Sequence, residues 1–214
     1  MMKYLIILLG IILLLCSGFV SLKNDRTSAF TDSSDWKLSK EKDGIKVFTR
    51  SNNNSGIKEF KALTSIRADI SQLVKIINDV ENYPGWMVNC ESSNTYKRIN
   101  KTTRIDYLKT DVPWPLDDRD AVFEFKITKD TDEYFEATMN SVPGFIPEKE
   151  DIVRIRKAKG KWIFKKSGKK MVDITYQFYG DPEGNIPTAI INLFIVSGPY
   201  KTLLNIKTQC NSKD

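Results

Sequence analysis

The stretch "VPWPLDDRDAVFEFKI", residues 112–127, decides how the rest of the chain is read. It matches no metal or catalytic motif. Pro113 and Pro115 fix their own backbone angles and lack an N–H, so Pro113-Trp114-Pro115 reads as a stiffened loop rather than a strand. Trp114 offers an apolar body with a polar edge, which suits a boundary between water and an apolar phase. From Arg119 onward the residues alternate. Arg119, Ala121, Phe123, Phe125 and Ile127 fall on one face of a strand, and Asp120, Val122, Glu124 and Lys126 fall on the other. The first set is the inward one, so a guanidinium enters the interior together with aromatic rings. An unpaired buried charge costs several kcal/mol or more, so Arg119 needs a partner. In the preceding strand Asp106, Leu108 and Thr110 alternate with Ile105, Tyr107 and Lys109, which makes Asp106 the expected inward acid. The competing expectation is an architectural ion pair of Arg119 with Asp117 or Asp120 that ties the loop down.

Working outward, most of the chain has the period of strands. "GIKVFTR" (44–50) and "IKEFKALTSIR" (57–67) alternate across the turn "SNNNSG", a hairpin signature. In the second of these, Phe60, Ala62, Thr64 and Ile66 face inward, leaving Glu59, Lys61 and Arg67 for water. Asp69 or Ser71 caps a helix through "QLVKIINDVENY", with Leu73, Ile76, Ile77 and Val80 at helical spacing and a stop at Pro84-Gly85. Then come "SNTYKRIN", "TRIDYLKTDV", "DAVFEFKITK", "YFEATMNSV", "DIVRIRKA", "KWIFKKS" and "MVDITYQFYG", mostly separated by Asn, Lys, Asp and Gly, the pattern of an antiparallel meander. "NIPTAIINLFIVSGPYKTLLNIKTQC" follows as a long helix, capped near Asn185 and expected to be interrupted at Gly198-Pro199. Many antiparallel strands with one long terminal helix point to an α+β fold, a curved sheet wrapped around that helix.

Composition narrows the chemistry. The chain has 214 residues, no histidine, and besides Cys16 only Cys90 and Cys210. A zinc site, a Ser-His or Cys-His nucleophile and a histidine base are excluded, and no glycine-rich nucleotide motif is present. Cys90 and Cys210 read either as a disulfide or as two buried thiols. No catalytic residue, metal or cofactor is expected. "YLIILLGIILLLCSGFVSL" carries no charge, so residues 1–22 read as a cleaved secretory signal or a retained membrane anchor, with lipidation of Cys16 a weaker third reading. The expected location is the bacterial periplasm or cell envelope. Residues 23–34 read as a polar linker and 35–210 as the folded domain. Lys3 is the only charge in 1–22, so the formal net charge of +6 becomes +5 for the remainder. Spread along the chain, this excess reads as solvated surface with mild attraction to anionic lipid, and not as a nucleic-acid site.

Five blocks in order resemble one known family: "DWKLSKEKDGIKVFTR" (35–50), "KEFKALTSI" (58–66), "DVENYPGWMVNC" (79–90), "DVPWPLDDRDAVF" (111–123) and "DPEGNIPTAIINLFIVSGPYKTLLNI" (181–206). The chain is similar to START lipid-transfer domains, in particular their exported or membrane-anchored bacterial members. The resemblance implies a helix-grip fold with an internal tunnel for one lipid, the Pro113-Trp114-Pro115 loop beside its mouth, and Asp106 as a buried acid. The deeper arginine of sterol-binding members would fall at Phe125, a departure that argues against sterol specificity.

The expected lipid contacts are Asp106, Arg119, Phe123, Phe125, Trp86, Tyr176, Phe178, Ile190 and Phe194. For Phe60, Trp86, Trp162, Tyr176 and Phe178, ordinary core packing is the competing reading. "AIINLFIV" (189–196) is apolar over more than the stripe a surface helix needs to cover a core. Its excess faces a lipid or a membrane, or is simply buried. The gate is expected at Pro113, Trp114, Pro115, Gly198 and Pro199. Removing a C16 chain from water is worth on the order of 12 kcal/mol at ~0.8 kcal/mol per methylene, so an enclosed cavity is required rather than a groove. The expected function is reversible lipid binding and carriage by a monomer at a membrane surface, without covalent chemistry. The alternatives are a cyclase- or hydrolase-like enzyme using Asp106, Arg119 and Tyr176, and a ligand-free interaction module.

Overall fold

The computed structural model describes residues 35–51, 56–184 and 186–211. The expected leader (1–22), the linker (23–34) and the expected cap Asn185 lie outside the described residues. The strands are β1 (Lys37–Lys42), β2 (Ile45–Ser51), β3 (Lys58–Arg67), β4 (Cys90–Arg98), β5 (Thr103–Thr110), β6 (Asp118–Asp130), β7 (Tyr134–Ser141), β8 (Ile152–Arg154), β9 (Lys157–Gly168) and β10 (Met171–Asp181). The helices are α1 (Ile70–Asn78) and α2 (Thr188–Asn211). The sheet order is β1-β2-β3-β10-β9-β7-β6-β5-β4, antiparallel along the whole path, with β8 added in parallel to β6. After β3 the chain crosses through α1 to the far edge at β4, then returns strand by strand until β10 pairs with β3.

The inner face of this sheet forms one core. Val47, Phe60, Phe135, Trp162 and Ile174 are buried against Leu73 and Ile77 of α1 and Leu203 and Ile206 of α2. α2 lies across β2 and β3. It is held by hydrogen bonds from Asn205 Nδ2 to the Trp86 carbonyl (3.0 Å), from the Val88 N–H to Thr202 Oγ1 (3.2 Å) and from Lys207 Nζ to the Asp43 carbonyl (2.9 Å). This is the helix-grip arrangement that the strand pattern and the resemblance predict. By length and composition α2 is apolar enough to cross a bilayer, but its second half is core, with Tyr200, Leu203, Ile206 and Cys210 buried.

Several local expectations are corrected. α2 is not interrupted at Gly198-Pro199 but runs continuously from Thr188 to Asn211 with Pro199 inside it. A proline forfeits one backbone bond, and the buried Tyr200 and Leu203 beyond it anchor the helix through that loss. α1 ends at Asn78, because Asp79 leaves helical geometry (φ −88°, ψ 73°), and Val80–Gly85 forms a separate 3-10 segment containing Pro84. The strand β1 was not anticipated, although Asp43-Gly44 is its signature: both residues have positive φ (54° and 72°), as a tight two-residue hairpin turn demands. Glu59 does not face water. It is buried and accepts a hydrogen bond from Arg50 Nε, and Arg50 in turn sits over the Trp36 ring at 4.5 Å.

The outer face of β6 is covered as well. Asp120 and Val122 are buried because the segment leading to β8 folds back over them, and Val142 and Ile146 pack on Ile105, Tyr107 and Val122. Cys90 is half-buried and Cys210 buried, and the two do not bridge.

Candidate functional site

A cavity of about 290 Å³ lies between the first half of α2 and the sheet. Its deep wall comes from buried Phe60, Ala121, Phe123, Met139 and Tyr176, and its outer end from Val112, Pro113, Leu116, Ile190, Ile191 and Phe194. The aromatic wall is continuous. Phe123 meets Phe178 edge-on at 6.0 Å, Phe60 meets Tyr176 at 5.0 Å, and Tyr176 stacks flat on Trp162 at 3.9 Å. Two of these contacts follow from strand register: Phe178 pairs with Phe60 across β3–β10, which leaves Tyr176 diagonal to Phe60, and Tyr176 pairs with Trp162 across β9–β10. The Phe123–Phe178 contact joins β6 and β10, which are not neighbours in the sheet.

Two glycines make the wall possible. A Cβ on Gly160 would come within 2.5 Å of Met139 Cε and 2.9 Å of Phe178 Cδ2, and one on Gly180 would meet Phe178 Cε1 at 2.8 Å. Gly160→Ala is therefore expected to push Met139 and the Phe178 ring toward the cavity. The expected cost is about 1–3 kcal/mol of stability together with reduced lipid capacity. Parallel thermal melts and lipid titrations of the variant would check this, and unchanged values of both would mean that the ring and methionine yield freely.

Of the predicted site residues, Arg119, Phe123, Tyr176, Phe178, Ile190, Phe194, Pro113, Gly198 and Pro199 line this cavity. Asp106, Phe125, Trp86, Trp114 and Pro115 do not. Trp86 is core, edge-on to Tyr83 at 4.8 Å and to Trp162 at 6.2 Å. Phe125 lies under the Arg104 guanidinium, 3.7 Å from the ring centre. Trp114 is 92 % exposed, and its bond to Pro115 is cis.

The expected Asp106–Arg119 pair does not form. Asp106 is bound by Arg104, whose Nε donates to Oδ2 at 2.8 Å and to Oδ1 at 3.0 Å, and Thr95 Oγ1 adds a third bond at 3.0 Å. The remaining Arg104 donors reach Asn78 Oδ1 (2.7 Å) and the Ile77 carbonyl (3.0 Å), pinning the end of α1 to the sheet. Burial pushes the Asp106 carboxyl above its usual range, and the Arg104 charge pulls it back. Arg104 is the residue that sequence reading missed. The signal was present, since Arg104 and Asp106 are two apart on one strand and must share a face.

Arg119 faces inward as the alternation predicts, but neither Asp117 nor Asp120 offers it a carboxylate. Its Nη1 donates to the Asp117 carbonyl and its Nε to the Pro182 carbonyl at 3.4 Å. Asp120 belongs to Arg154 (Nε to Oδ1, 2.5 Å). Arg119 pairs with Thr110, at the loop end of β6, and Phe123 pairs with Asp106 four residues deeper, about 13 Å along the strand.

An apolar cavity gripped between a curved sheet and a helix, with a cation near its outer end, defines a lipid-binding protein. The START domain family model matches residues 26–210, and the chain belongs to that family. It is similar to the structure of a STAR-related lipid transfer protein from Xanthomonas axonopodis (31 % identity, TM-score 0.76), covering 83 % of this chain and 99 % of that one. An uncharacterized protein of Pseudomonas aeruginosa is 30 % identical over 84 % of this chain and 88 % of its own length. The phosphatidylcholine transfer protein of Rattus norvegicus is 25 % identical over 83 % and 85 % respectively.

Proposed function

We propose that the protein takes up one lipid molecule from a membrane, shields its apolar part in the cavity between α2 and the sheet, and releases it unchanged. The observation that carries this reading is the wall of Phe60, Phe123, Tyr176 and Phe178, apolar and buried yet facing open space. A ligand-free interaction module would fill that space with its own side chains. An enzyme using Asp106, Arg119 and Tyr176 would need them together. Asp106 instead lies off the cavity on Arg104, Arg119 is at the outer end, and burial raises the Tyr176 hydroxyl above the ordinary phenol range, so that it stays protonated and is not available as a base. The protein acts as a monomer in the cell envelope, delivered there by residues 1–22. The N-terminal half of α2 and the Trp114 loop touch the bilayer, a role supported by exposed Ile190 and Phe194 on the cavity lining and by exposed Trp114 next to the lining residue Pro113.

Native mass spectrometry of the purified protein tests the central claim: a co-purifying lipid with a 1:1 mass shift is expected. Turnover of a lipid extract would overturn the carrier reading. Trp114→Ala is expected to leave the melting temperature within about 1 °C, because an exposed side chain contributes little to folding. It should slow lipid exchange between vesicles several-fold. Unchanged exchange would remove Trp114 from the membrane contact.

A further inference from the structure

Among the described residues, Arg119 is a buried cation without an anion. It is 4 % exposed, yet no carboxylate lies within 4 Å of it among the described residues. Asp120 is held by Arg154, and Asp118 by Lys109 Nζ at 2.8 Å and by the Val112 N–H at 3.2 Å. Asp117 offers Arg119 its backbone carbonyl, as does Pro182. Partial charges on two carbonyls do not neutralise a guanidinium, and such groups are ordinarily paired when buried. Desolvation accordingly shifts Arg119 downward from the usual arginine range, although it stays protonated. Half-buried Lys58 lines the same cavity, and the carboxylate on its lining, Asp111, is exposed. At roughly 10–15 Å³ of such space per water-sized group, the cavity of about 290 Å³ accommodates roughly 19–29 groups, enough for one long hydrocarbon chain and short of two.

Building on the carrier reading above, we propose that the cavity selects a single-chain lipid with an anionic head, whose charge pairs with Arg119 at the outer end while the chain runs inward along Phe123 and Tyr176. The register sets this polarity. Arg119 sits beside the 112–118 loop, and the apolar wall begins at Ala121 and deepens from there.

The delipidated full-length protein is offered oleate, oleyl alcohol, dioleoylphosphatidic acid and dioleoylphosphatidylcholine in separate titrations. Oleate is expected to bind about tenfold or more tightly than oleyl alcohol, since a hydrogen bond to a charged group in an apolar site is worth that much. Both two-chain lipids should bind more weakly than oleate. Arg119→Gln should bring oleate down to the level of oleyl alcohol while leaving oleyl alcohol nearly unchanged, and Arg119→Lys should retain most of the preference. A folding defect would lower both ligands together, so the ratio isolates the charge. Equal binding of oleate and oleyl alcohol by the unaltered protein, or a preference that survives Arg119→Gln, overturns the anionic head. Tighter binding of either two-chain lipid overturns the single chain and leaves the carrier reading standing. Failure of all four to bind removes the carrier reading itself.

Discussion

Asp120→Ala is expected to destabilise the domain by about 3–5 kcal/mol, the cost of leaving a buried charge without its partner. Arg154 and Asp120 are each 1 % exposed. The guanidinium makes two bonds to the carboxylate, at 2.5 and 2.9 Å, and its other donors reach the carbonyls of Pro143 (2.7 Å), Ile146 (2.9 Å) and Pro147 (3.3 Å). This one side chain therefore fastens the 143–147 segment to β6. Beside it, the Ile155 N–H donates to the Asp120 carbonyl at 2.8 Å. Without Asp120 the carbonyls remain but the countercharge is gone, and the melting temperature should fall by on the order of 10 °C. Urea unfolding measures the loss directly. Replacing both partners, Asp120→Leu with Arg154→Met, should recover most of it, because well-packed apolar residues replace buried ion pairs at little cost. A single-variant loss under about 1 kcal/mol would show that the backbone carbonyls suffice.

Locking the 112–118 loop to residues 189–194 of α2 by a disulfide is expected to stop lipid exchange altogether. Both segments line the outer end of the cavity, so a lipid whose chain is enclosed leaves only when one parts from the other. The second half of α2 is anchored by Leu203, Ile206 and Asn205. Pro199 donates no backbone bond to Ile195, so separation should begin at the turn that bond would have closed. The pair of cysteines belongs in a background lacking Cys90 and Cys210. Exchange between vesicles should cease on oxidation and return on reduction, and unchanged exchange with the bridge fully formed would rule out this gate.

Strand alternation located the cavity wall. Phe60 and Phe123 could be read as inward because period-2 spacing is a property of the backbone and needs no partner to be read, and Tyr176 and Phe178, two apart on β10, share a face by the same rule. The same rule turned Arg119 inward. It also placed Asp120 and Val122 outward, as they are, but not their burial, because part of the cover over them comes from the 143–150 stretch, which has too little periodicity to be assigned a place. Ion pairs were read least well. Asp106 was assigned to Arg119 on the basis of a shared face, whereas Arg104, two residues away on its own strand, reaches it first. The expected break at Gly198-Pro199 followed from local propensity, which the packing of Tyr200 and Leu203 overrides.

The sequence by itself thus determined the class of fold, the face each strand presents to the interior, and the absence of histidine-based chemistry, all of which depend on local period and residue inventory. The tertiary structure decided which buried charge has a partner. Arg104 and Arg154 are satisfied by acids on the same or a neighbouring strand, while Arg119 is left facing the cavity. Pairing depends on register and on which segment covers which face, and both are set only when strands distant in the chain come together.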